Sequence, residues 1–141
     1  MRRLLKYLWV LPATALGLLF VSLALCSGGR VQIVQGAVET CGGLVTLWLK
    51  LWCATAMTIG HVILGQTPEA LRATRLHEHI HIQQYERLGI FFIPAYFLAS
   101  LWALLSGKHA YYGNPFEQEA FQNSILPPYD SDIFKAASNA S

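Results

Sequence analysis

Residues 77–86 read His77-Glu78-His79-Ile80-His81-Ile82-Gln83-Gln84-Tyr85-Glu86. The flanking residues decide how this stretch folds. Thr67 is a good N-cap, Pro68 fits the first helical position, and Glu69 sits at the positive end of the helix dipole. Gly89 is a stop signal. The spacing predicts a helix over 68–88, with the decapeptide in its later half. On that helix His77 and His81 are a turn apart and share one face. Two imidazoles so placed can converge on one Zn²⁺ at about 2.0–2.1 Å each. Glu78 lies roughly 100° around the axis from His77, where it can face a metal-activated water without ligating the metal. His79 points elsewhere and is expected on the helix surface or in support behind the ligands, not as a ligand itself. Gln84 follows His81 by three residues and lies on the ligand face, where it can support the site.

The surroundings are apolar. The chain is 54% hydrophobic and 13% charged, whereas a soluble domain is usually about a quarter charged. The net charge is +2 and the basic residues are scattered, which argues against nucleic-acid binding. Arg2, Arg3 and Lys6 precede an apolar run from Leu8 to Cys26, whose 19 residues reach about 28 Å as a helix. Leu23 and Leu25 stand where signal-peptide cleavage needs small residues. The run therefore reads as an uncleaved transmembrane anchor over 1–27, and the basic residues orient the rest of the chain outside.

After Gly28-Gly29 the segments RVQIVQ and AVET alternate as half-buried strands, and Leu44–Cys53 reads as a short apolar helix. Met57–Leu64 is a strand candidate. Residues 90–105 are apolar but too short for a crossing. A crossing there would also separate the histidines from residue 117, so this segment is expected to be buried or to lie on the membrane, bent at Pro94. Asn114-Pro115 opens another helix, NPFEQEAFQNSIL, and Pro127-Pro128 ends it. The tail over 130–141 is small and polar and is expected to be disordered. Cys26, Cys41 and Cys53 have no CxxC spacing. They read as three small buried hydrophobes, with a Cys41–Cys53 disulfide as the alternative.

H-E-x-x-H-x-x-Q followed by Glu117-Gln118-Glu119-Ala120 resembles the gluzincin metallopeptidases, and more closely small bacterial membrane proteins with HExxHxxQ and NPFExEA motifs. The resemblance covers about residues 54–123. It implies an α+β fold: a transmembrane helix, then over 28–129 a minimal zincin-like domain of a small antiparallel sheet, the HExxH helix and a Glu helix. It implies one Zn²⁺ held by His77, His81 and Glu117, with Glu78 catalytic. Glu119 is the alternative third ligand, because Glu117 is also placed to close a capping box with Asn114. The resemblance makes residues 57–64 the edge strand that pairs with an extended peptide or protein substrate, through Thr58, Gly60 and His61. It puts the domain on the extracytoplasmic side of a bacterial inner membrane. The activity implied is a membrane-anchored, zinc-dependent peptidase.

Two features depart from the family pattern. Phe121 stands where an Asp usually follows the Ala, and the chain is small for a substrate cleft. These motivate the alternative of a non-catalytic, metal-stabilised membrane scaffold or assembly protein, in which Glu78 merely pairs with a cation such as Arg75. Tyr111 and Tyr112 read as an interfacial aromatic pair. His109 reads as a loop residue able to touch substrate.

Overall fold

A computed structural model describes residues 1–125 of the chain. The expected Pro127-Pro128 stop, the domain end at 129 and the 130–141 tail lie outside the described residues. The chain runs α1 (Arg2–Cys26), β1 (Arg30–Val34), β2 (Ala37–Cys41), α2 (Gly43–Leu51), β3 (Ala56–Ile59), β4 (Val62–Gly65) and α3 (Pro68–Leu88). A 3-10 turn (Gly89–Phe91), α4 (Phe92–Leu105) and α5 (Pro115–Ile125) follow. The fold is mixed α and β.

The sheet is not antiparallel throughout, as the sequence reading expected. Its order is β1-β2-β4-β3, with antiparallel outer pairs and a parallel β2–β4 pair at the centre. The chain leaves β2 through α2, enters β3 from the same end of the sheet, and turns back through the β3–β4 hairpin, so β4 runs parallel to β2. Periodicity shows that a strand exists but not which strand it pairs with. The single strand expected over 57–64 is a hairpin instead. Gly60, at φ +64°, occupies its two-residue turn, and a Cβ there would come within 2.4 Å of the Thr14 backbone. Only glycine accepts both the backbone angle and the close approach.

The sheet is covered on both faces. On one, α1 and α2 bury Val21, Ala24, Val45 and Leu49 against Val62 and Leu64. On the other, α3 buries Leu71 and Ile82 against Ala37, Cys41 and Ile63. α1 is long and apolar enough to span a membrane. It is also part of the packing. Val10, Ala13, Gly17, Val21 and Ala24 form a buried stripe at three- and four-residue spacing along it. Lys6 pairs with Glu86 near its start, and Gly29 donates to the Ala24 carbonyl at its end. The expected anchor–domain boundary at 27/28 coincides with the end of α1, yet the helix lies along the rest of the chain.

Gly89 ends α3 at φ +62°, with the Trp9 indole against its Cα. The chain reverses there. The Phe92 ring lies 4.4 Å from Tyr85, and Tyr96 lies 6.3 Å from His81. A continuous helix would put residues 81 and 96 about 22 Å apart. The expected bend at Pro94 is absent. Pro94 sits in the first turn of α4, where a missing N–H costs no hydrogen bond. All three cysteines are free; Cys41 is buried while Cys26 and Cys53 are exposed, so neither sequence reading of the cysteines holds.

Candidate metal centre

α3 carries two stripes with different partners. Leu71, Arg75, Glu78 and Ile82 face the sheet; His77, His81 and Gln84 face α5. The helix is fixed at both ends as its sequence dictates. The Thr67 hydroxyl accepts from the Ala70 N–H at 3.1 Å, and Pro68 opens the first turn. Two polar contacts set the sheet-facing stripe. The Arg75 guanidinium forks onto the fully buried Glu39 carboxylate at 2.7 and 2.9 Å, and Gln32 donates to the same carboxylate. The Thr58 hydroxyl donates to Glu78 Oε2 at 2.7 Å. The register places Gln32, Glu39, Ile63 and Thr58 in one row across the sheet. Glu78 therefore does not pair with Arg75. Arg75 is committed to Glu39, and Glu78 is held by a strand hydroxyl.

The second stripe meets α5. Asn114 caps that helix, its side-chain oxygen accepting from the Phe116 N–H. The Asn114 N–H donates to the Tyr111 carbonyl at 3.1 Å. The capping box is thus not made, and the Glu117 carboxylate is left to face α3. His77 Nε2 lies 3.0 Å from Glu117 Oε2, His81 Nε2 lies 3.3 Å from Glu117 Oε1, and the two Nε2 atoms are 3.2 Å apart. Around a tetrahedral Zn²⁺ with bonds of about 2.0–2.1 Å, neighbouring ligand atoms stand roughly 3.3 Å apart. The two imidazole nitrogens, 3.2 Å apart, match that spacing, each contacts a different Glu117 oxygen, and the donor set of two imidazoles and one carboxylate suits the ion. His77, His81 and Glu117 could therefore hold a metal.

Glu119 is not part of this group. It lies about 200° around α5 from Glu117, where it accepts from Gln84 and Arg87. The contact has a consequence for His81. The Gln84 amide nitrogen donates to the Phe116 carbonyl at 2.9 Å and to Glu119 at 2.8 Å, so its oxygen faces His81 Nδ1 at 2.8 Å. Nδ1 then carries the proton and Nε2 presents its lone pair to the centre. A Glu–Gln–His relay thus orients His81. The Phe121 ring lies 4.6 Å from the His77 ring.

Electrostatics follow from burial. Glu117 is 3% exposed. Burial alone would raise its pKa, but His77, His81 and the Tyr96 hydroxyl overcome that and hold it far below the usual carboxylate range. Glu78 goes the other way: burial pushes its carboxyl up, against the opposing pull of His81 and Thr58. Burial opposes protonation of His81, yet Glu117 and Glu78 more than compensate and raise its pKa.

Of the expected substrate-binding residues, Thr58 lies at the site, bound to Glu78. Gly60 and His61 do not. They form the hairpin turn under α1, where the His61 N–H donates to the Thr14 hydroxyl and its ring lies 4.5 Å from Tyr7. Their burial leaves no face for a substrate. His79 is outside the metal group, as expected; its Nε2 is buried without a partner among the described residues. The His109 ring accepts from the Tyr111 and Tyr112 N–H groups and shapes the loop. Tyr111 lies near Glu117, and burial together with that carboxylate raises its pKa.

Sequence reasoning missed Tyr96. Its hydroxyl donates to Glu117 Oε1 at 2.6 Å. The available signal was a polar-tipped aromatic in an otherwise apolar helix. No protein-family model, curated protein or solved structure matches the chain.

Proposed function

We propose that the protein is a membrane-associated, zinc-dependent metallopeptidase with a gluzincin-like arrangement. One observation carries this reading: α3 and α5 bring two imidazoles and a carboxylate, up to forty residues apart in the chain, within 3.3 Å of one another at His77, His81 and Glu117. A bound Zn²⁺ would supply Lewis acidity and lower the pKa of water at the site. The chain's own groups do the rest. Glu78 takes the proton from the attacking water and delivers it to the leaving amine, and its buried setting raises its basicity toward that task. Thr58 fixes the Glu78 carboxylate against β3. Glu119 and Gln84 hold the His81 ring, and Tyr96 holds Glu117. β3 is an edge strand, so a peptide or protein substrate in extended form has an unpaired main-chain edge beside Glu78 to pair with.

A second reading, a metal-stabilised scaffold without catalysis, is favoured by the burial of Glu78. That residue is 4% exposed and bonded to Thr58. Zinc content and proteolysis of the wild type, His81→Ala and Glu78→Gln separate the two. The peptidase reading expects about one zinc in the wild type and in Glu78→Gln, none in His81→Ala, and cleavage by the wild type alone. Equal cleavage by Glu78→Gln would exclude this mechanism. Zinc retained with no cleavage by any variant would support the scaffold.

A further inference from the structure

The outward faces of three helices are apolar and uncovered. On α1 the residues opposite the buried stripe, Leu4 to Leu25, are mostly exposed leucines. On α2 Leu47 and Leu51 are exposed, as is Trp52 just after it, and on α4 the exposed residues include Phe97, Leu98, Leu101 and Trp102, the last at 72%. α4 carries no charged residue over its 14 positions. A surface of this extent exceeds anything a soluble monomer ordinarily leaves in water.

The obvious occupant is a bilayer crossed by α1, but the sheet speaks against a crossing. The Tyr7 hydroxyl donates to the Gly36 carbonyl in the β1–β2 turn, and the Gly29 N–H, just before β1, donates to Ala24. β1 therefore runs beside α1 through most of the apolar segment. It is an edge strand with β2 on one side only, and Arg30 to Ile33 are exposed. A transbilayer α1 would carry this open row of N–H and C=O groups through the hydrocarbon, where nothing satisfies them. The buried Glu39–Arg75 pair, and the exposed Arg72 and Arg87 on the far side of the sheet, would go with it.

We propose that α1 lies in the membrane interface instead, and that the outer faces of α1, α2 and α4 seat the protein on one leaflet. Exposed Arg2 and Arg3 start α1, Lys50 lies on α2 and Lys108 follows α4. These cations fit an anionic headgroup layer. The polar outer face of α3 then points to water. The inference concerns seating alone and stands whether or not the metal centre is catalytic.

The test uses the full chain with Cys26→Ser and Cys53→Ser, leaving only buried Cys41, and adds Arg3→Cys or Arg30→Cys at either end of α1. A membrane-impermeant maleimide is applied to spheroplasts and to inverted vesicles. One-leaflet seating predicts that both probes label in the same preparation and are protected in the other. Labelling in opposite preparations would overturn the proposal. A second measurement compares wild type with Trp102→Phe in vesicles of acyl-brominated phosphatidylglycerol. Quenching by the bromines should remove at least half of the Trp102 contribution. Unquenched Trp102 with a dimer by light scattering would assign the face to a second copy instead.

Discussion

α3 and α4 follow one another along the chain and touch the same candidate metal centre, yet they are built on opposite plans. α3 is polar on balance, and several of its polar side chains have a defined partner: Arg75 on Glu39, Glu78 on Thr58, His81 on Gln84. α4 is apolar nearly all round, and its link to the centre is one hydroxyl, that of Tyr96 on Glu117. In α3 the positions of side chains follow from helical spacing, because different faces demand different chemistry. In α4 no face is marked, so tertiary packing alone selects Tyr96. A helix can thus be fully specified in its ends and still silent about which of its residues matters.

The contrast can be broken at four points. On the proposed peptidase mechanism, Glu78→Gln should lower peptide cleavage by about 10²–10⁴-fold with zinc retained, since it would remove the general base alone; kcat on a quenched peptide checks this. Glu39→Gln should cost about 2–3 kcal/mol, because the Arg75 fork loses its ionised partner. Denaturant unfolding in detergent reads it. Burial alone would raise the Glu39 pKa, but Arg75 and Gln32 hold it below the ordinary value. This contribution is therefore present above the usual carboxylate range and is lost as pH falls through the lowered pKa. Glu39→Gln should show less acid sensitivity than wild type below about pH 4.

Tyr96→Phe leaves α4 packed and removes one hydrogen bond to a ligand. Zinc affinity should fall roughly tenfold, measured by competition with a chelating dye. Leu101→Ser, on the outer face of the same helix, should change stability in detergent by less than about 0.5 kcal/mol. If Leu101→Ser proved markedly costlier than that, α4 would be packed more tightly than its exposure shows.

Much of the architecture was legible because it rests on local chemistry. Thr67, Pro68 and Gly89 marked α3 to the residue, and Asn114-Pro115 marked the start of α5. The histidine pair and Gln84 shared a face by arithmetic. What was not legible depends on pairings across the chain. Nothing in Val62–Gly65 announces a parallel neighbour, and Gly60, expected within a single substrate-binding strand, instead turns the hairpin with Thr14 against it. Glu117 and Glu119 were inseparable by spacing alone. The structure divides them by giving the first to the imidazoles and the second to Gln84 and Arg87.

The order of elements also fixes an order of synthesis. All four strands, with α1 and α2, are encoded before residue 66, and α3 follows directly. On the ribosome the sheet and the layer beneath it emerge before either imidazole, and Glu117 emerges last. The carboxylate thus meets a sheet and an α3 that already exist, and the cluster closes only once α5 has been made.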